Sequence, residues 1–231
     1  MSTKLSILRN CFLVFLALQS SVTWGHPQNA SNRRAGRVVA SIPEDTVARQ
    51  GSLTPLPITV SDPVFWDDVL HTLDNGRLRV QLLGGSFLNI GVRSSMRVIQ
   101  HDPRTQQSQI ELSFGHLRAM IRPQTQPGAS FEILTPTSVI GVVGTIIDID
   151  ATTTATHVKV VKGKIKVRSR NPKVKGEQTV NEGEETHVDK DKSPEKPKRM
   201  SENKKEKKQE QKNQRQEKKK KNRTRNGKRG R

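Results

Sequence analysis

From Arg77 onward the chain alternates apolar and polar residues with a period of two. Leu78, Val80 and Leu82 alternate with Arg77, Arg79 and Gln81, which predicts a half-buried strand with a basic outer face. Gly84-Gly85-Ser86 then turns the chain. Leu88, Ile90 and Val92 continue the pattern, followed by Met96 and Val98, by Ile110, Leu112 and Phe114, and by Leu117, Ala119 and Ile121. A loop from Pro123 to Ala129 precedes Phe131 and Ile133, and Val158, Val160, Ile165, Val167 and Val180 complete the set. Strand starts recur about every ten residues, the spacing of an all-β domain rather than of βαβ units. The expected fold is therefore all-β, a sandwich, barrel or solenoid of short strands. The predicted core contains Leu78, Val80, Leu82, Leu88, Ile90, Ile133, Val142, Ile147, Ile149, Val160 and Ile165.

The most apolar run after the N-terminus is Thr135 to Asp150, TPTSVIGVVGTIIDID, rich in β-branched residues that suit a pleated surface better than a helix. Gly141 and Gly144 interrupt it, so it reads as two short buried strands joined at a glycine corner. Upstream, Val38-Val39-Ala40 opens a first strand that Pro43 interrupts, and Pro55, Pro57 and Pro63 mark a connector or edge strand. VFWDDVLHTLDNG, from Val64 to Gly76, fits either one apolar helical face or strands meeting at an Asp74-Asn75-Gly76 turn.

The ends differ from this middle. Lys4 and Arg9, the apolar run CFLVFLALQ and the small residues at Thr23 and Gly25 read as a secretory signal over residues 1–25. That run is about half of the roughly 20 residues a spanning helix needs, so no transmembrane helix is expected after cleavage. Cys11 is the only cysteine of the 231 residues, which leaves no disulfide in the mature protein. Residues 26–37 read as a polar spacer, 38–188 as the β domain and 189–231 as a disordered basic tail. The tail holds 20 Lys/Arg against 7 Asp/Glu, most of the formal +19. It has one large apolar side chain, Met200, too few to offset the entropy of ordering.

No catalytic, cofactor or metal site emerges from the spacing. The six histidines fall at no metal-ligand interval, and adjacent Asp67 and Asp68 on an extended chain point to opposite faces, with one expected in a turn. Ser86 lacks a nucleophile elbow, and the glycines around Val142-Val143 lack the lysine of a phosphate loop. Asp148 and Asp150 share one outward face, read as solvated strand residues. The charged features that remain are Lys159, Lys164, Lys166 and Arg168 on the late strands, and Lys218, Lys219, Lys220, Lys221, Arg223 and Arg225 in the tail. These are the candidate contacts for an anionic partner; the competing reading is a solvated, aggregation-blunting face and a solubilising tail.

Asp67 to Thr72, Arg79 to Leu82 with Gly85-Ser86 and Leu88 to Gly91, then Ser94 to Val98, resemble the first half of a FecR-type domain. Phe131-Glu132-Ile133 into Thr135-Pro136, Val142-Val143-Gly144-Thr145 and the run Val160, Gly163, Ile165, Val167 resemble the second half. Gly84 replaces the family's usual aspartate before Gly-Ser, and Ile147 replaces an aromatic after Gly-Thr. The resemblance implies a bacterial, extracytoplasmic all-β domain with a β-helix-like (solenoid) stack, so the expected fold is a β-helix-like (solenoid) or sandwich-like stack of short strands. It does not carry over an anti-sigma role, since only about ten residues precede the apolar run and none matches the family's cytoplasmic segment. The expected function is a non-enzymatic exported protein, periplasmic or extracellular. It would bind an envelope protein or an anionic polymer at the cell envelope, with a structural, polyanion-binding role through the tail as the alternative.

Overall fold

A computed structural model describes residues 33–42, 45–49, 52 and 54–200, and every element from 33 to 199 is a strand. In chain order these are β1 (Arg34–Ile42), β2 (Thr46–Ala48), β3 (Leu56–Pro57), β4 (Pro63–Phe65), β5 (Val69–Thr72) and β6 (Arg77–Leu82). Then come β7 (Phe87–Ile90), β8 (Ser94–Asp102), β9 (Gln107–Met120), β10 (Ser130–Leu134), β11 (Ser138–Val142) and β12 (Ile146–Ala151). The last five are β13 (Ala155–Lys162), β14 (Lys164–Ser169), β15 (Glu177–Asn181), β16 (Glu184–Asp189) and β17 (Lys198–Arg199).

Hydrogen bonding sorts them into two sheets. Sheet A runs β4-β1-β6-β7-β9-β12-β13-β16-β17. Sheet B runs β3-β2-β5-β8-β9-β10-β11-β14-β15. Among the described strands, only β9 with β10 is parallel. The two sheets share β9: its first half pairs with β8 and β10, and from Gly115 onward it pairs with β7 and β12. Gly115 makes the transfer possible. Its φ is +98°, and a Cβ there would stand 2.6 Å from Ser94 Cα. Neither sheet closes on itself.

The inward residues of both sheets belong to one apolar cluster. Every predicted core residue lies in it, from Leu78, Val80 and Leu82 on β6 to Ile147 and Ile149 on β12 and Ile165 on β14. The run Thr135 to Asp150 forms β11 and β12, and its corner carries the chain from sheet B to sheet A. Gly144 alone is the corner, at φ +65°. Gly141 is an ordinary strand residue, paired with Glu132 and Lys166. Val143, at 65% exposure, points away from the core.

Between Val64 and Gly76 the helical alternative is not formed; β4, a turn and β5 occupy the segment. Asp68 fixes that turn. Its buried Oδ2 accepts Phe65 N–H at 2.8 Å, while Asp67 takes a left-handed φ of +62°. β1 begins at Arg34, inside the segment read as spacer, because Ala35 and Val38 bury their side chains and the strand pairs with β4 and β6.

The start expected for the tail, Asp189, also moves. The chain remains folded to Met200 as a strap over the edge of sheet A. Lys190 N–H donates to Thr154 O, Glu195 N–H to His187 O and Met200 N–H to Gly183 O, and Pro194 is buried. Composition missed this because main-chain bonds to an open strand edge hold a polar segment without an apolar core of its own. Residues 1–32, with the expected signal, and 201–231, with the densest part of the expected tail, lie outside the described residues.

Candidate binding surfaces

The outer face of sheet A carries an ordered row of ionisable residues. His116 on β9 is in register with Asp150 on β12, Asp150 with His157 on β13, and His157 with His187 on β16. Each histidine meets a carboxylate. His116 Nδ1 lies 2.8 Å from Asp150 Oδ1, His157 Nε2 2.8 Å from Glu185 Oε2, and His187 Nε2 3.0 Å from Asp189 Oδ1.

Their environments differ. The hydrogen bond to Asp150 holds the His116 pKa above its ordinary value, and the same bond lowers that of Asp150. Burial is the larger influence on His157 and lowers its pKa, against the opposing pull of Glu185. The strap lies beside this histidine, where Glu195, Lys196 and Lys198 line one cleft with His157, Glu185 and His187. Thr186 Oγ1 donates to Glu195 O at 2.7 Å and helps to hold the strap down.

The adjacent row on the same face reads Asn89, Arg118, Asp148, Lys159, Glu185. Arg118 forks onto Asp148, with Nε 2.6 Å from Oδ1 and Nη2 2.7 Å from Oδ2. Asp148 and Asp150 do share an outward face, as alternation predicts. They are ion-paired there rather than merely solvated.

Lys159, Lys164, Lys166 and Arg168 do not form one surface. Lys159 belongs to sheet A and the other three to sheet B, because the chain changes sheets at Gly163. On the outer face of sheet B, Lys166 pairs with Glu177 at 3.0 Å and Arg168 approaches Glu132 at 3.8 Å. Arg97 and Arg170 both reach Glu111, at 2.9 and 3.5 Å. This ladder spans a patch where Leu134 and Val139 are buried. It is a mixed-charge face, and of the three only Lys164 has no carboxylate partner among the described residues. Lys218, Lys219, Lys220, Lys221, Arg223 and Arg225 lie outside the described residues.

The buried histidine, His101, serves structure. Its Nε2 is bonded to Leu83 O and its Nδ1 lies 2.8 Å from Ser108 Oγ. Burial lowers its pKa, and in the neutral form Nε2–H donates to the carbonyl while Ser108 donates to Nδ1. Among the described residues no group of three or more His, Cys, Asp or Glu is placed to hold a metal ion. No helix among them is long and apolar enough to cross a membrane.

Sequence reasoning missed the histidine–carboxylate row. Alternation puts His116 with Arg118, and Asp148 with Asp150, on common faces. It does not say which strands are neighbours.

The family model described as FecR protein matches residues 68–166. The match begins in the turn before β5 and ends within β14, so β1, β15 and β16 extend the sheets beyond it. Two crystal structures of a candidate anti-sigma factor from Parabacteroides distasonis ATCC 8503, at 2.50 and 1.65 Å, are similar. Each is 16% identical with a TM-score of 0.48, covering 57% of this chain and 59% of that one. The chain thus spans less than two thirds of the length of those structures. No curated protein matches it.

Proposed function

We propose that this is a non-enzymatic, exported FecR-type protein that binds a partner at the bacterial cell envelope, as a sensing, signalling or scaffolding module. The match of residues 68–166 to the FecR family carries the reading. The N-terminal pattern of Lys4, Arg9 and CFLVFLALQ supports export, to the periplasm or beyond. We read the fold as a sandwich-like stack, since two open sheets bury their inner faces in one cluster. The folded domain makes the specific contact in this account.

One observation favours a second reading, a polyanion-binding envelope protein. Residues 189–231 hold 20 Lys/Arg against 7 Asp/Glu. The mixed charges around Lys166 and Arg168 give the domain itself less pull on a polyanion, so such binding would rest on Lys218–Lys221, Arg223 and Arg225.

Crosslinking capture from envelope fractions separates the two. The first reading expects one envelope protein, recovered equally by the full chain and by a chain ending at Met200. Recovery of anionic polymer alone, lost on truncation, would overturn it in favour of the second.

A further inference from the structure

A sheet edge presents unpaired main-chain groups, and proteins blunt such edges with short strands, prolines or bulges. Of the four sheet edges among the described residues, three are blunted. β3 has two residues and contains Pro57; β4 has three, starts at Pro63 and faces a bulge in β1; β17 has two and follows Pro197. The fourth edge, β15, is different. It has five residues, no proline, an unbroken register with β14, and no other strand partner among the described residues. Asn181 N–H is capped by Glu184 Oε2 at 2.9 Å. By the alternation of an antiparallel ladder, the N–H groups of Thr179 and Glu177 then also face away from β14.

The flanks of β15 carry opposite charge. Lys173 and Lys175 precede it, exposed and without an ion pair among the described residues. Glu182 and Glu184 follow it, bonded to the N–H groups of Gly163 and Asn181 but to no cation. Two copies related by a twofold axis through Thr179 would bring Lys175 of one toward the turn at position 183 of the other, where Gly183 O already accepts Met200 N–H and the acidic residues Glu182 and Glu184 flank the turn in sequence. Glu177 would face Asn181, whose N–H and Nδ2 already hold Glu184, so the main-chain bonds across the axis are those at Thr179 and from Glu177 N–H to Asn181 O.

We propose that β15 is a docking edge whose occupant is β15 of a second copy of this chain, paired antiparallel about Thr179. A contact limited to one five-residue strand is expected to bury less than the about 1,200–2,000 Å² of stable complexes. Dimer therefore forms only at high concentration, about 100 µM or above.

Sedimentation equilibrium of the full chain tests this with two charge variants. K173E/K175E makes both flanks acidic, and E182K/E184K makes both basic. Each alone is expected to weaken dimerisation by about tenfold or more, whereas an equimolar mixture restores both contacts and recovers dimer. Lys173 and Lys175 have no ion pair to lose, so the first variant remains informative even if the second folds poorly. T179P, which removes an outward N–H, should also abolish the dimer. A wild-type chain that stays monomeric up to about millimolar concentration overturns the proposal. So does a dimer that K173E/K175E and T179P leave unchanged.

Discussion

Arg118 and Asp148, 30 residues apart in sequence, lock β9 to β12 through a two-bond fork on the outer face of sheet A. Asp148 is the more enclosed partner, at 15% side-chain exposure against 49% for Arg118. Removing the arginine leaves a carboxylate that water reaches only partly. R118A is expected to cost about 1 kcal/mol in urea denaturation, with the R118A/D148A double variant less destabilised than the sum of the singles. Additive singles would mean the fork contributes nothing specific.

The two glycines of GVVG separate cleanly. A Cβ at Gly144 would sit 2.8 Å from the Pro123 backbone at a φ of +65°, so strain and clash combine. G144V should lose about 2 kcal/mol or more, read from the urea midpoint. At Gly141 the nearest atom is Lys166 O at 3.8 Å and φ is not left-handed, so G141A should be nearly neutral. Equal tolerance at both sites would contradict the corner.

His116 and His157 should give opposite pH dependences. His116 is raised by its bond to Asp150, so its contribution is full below the unfolded value of about 6.5 and fades as pH climbs through the folded value. The stability gap between wild type and H116Q should narrow from about pH 6 to pH 8. His157 is lowered by burial, so its contribution is present above about 6.5 and lost as pH falls through its folded value. H157Q should therefore flatten the acid-side decline instead. The groups facing this row are Asp148, Arg118, Lys159, Glu185, Asp189, Glu195, Lys196 and Lys198. A variant pair with identical pH profiles would refute the assignment.

The strap carries its own expectation. A chain ending at Asp189 loses the cover over Glu185 and His157 and should be destabilised by about 1–2 kcal/mol relative to one ending at Met200. The His157 imidazole should also titrate closer to 6.5 in the shorter chain by NMR. An unchanged His157 titration would show that the strap is not what buries it.

The strands were legible because their signal is local. Leu78, Val80 and Leu82 announce a buried face within six residues, and β-branched residues around Gly144 announce two more strands. The pairing of His116 with Asp150 depends on β9 crossing from one sheet to the other at Gly115, which no local pattern encodes. The sheet change at Gly163 likewise makes Lys159 and Lys164 look like neighbours when they lie on different sheets. The strap escaped composition because its hold on the domain comes from main-chain bonds at Thr154, Gly183 and His187 rather than from apolar side chains.

Whether the folded domain rather than the basic tail contacts the envelope partner can be read from one salt titration. Envelope-fraction binding is measured for the full chain and for a chain ending at Met200 between about 50 and 200 mM salt. Similar affinities and a shallow salt dependence are expected for both chains. Binding by the full chain that falls steeply over that range, together with none by the shorter chain, would contradict contact through the folded domain.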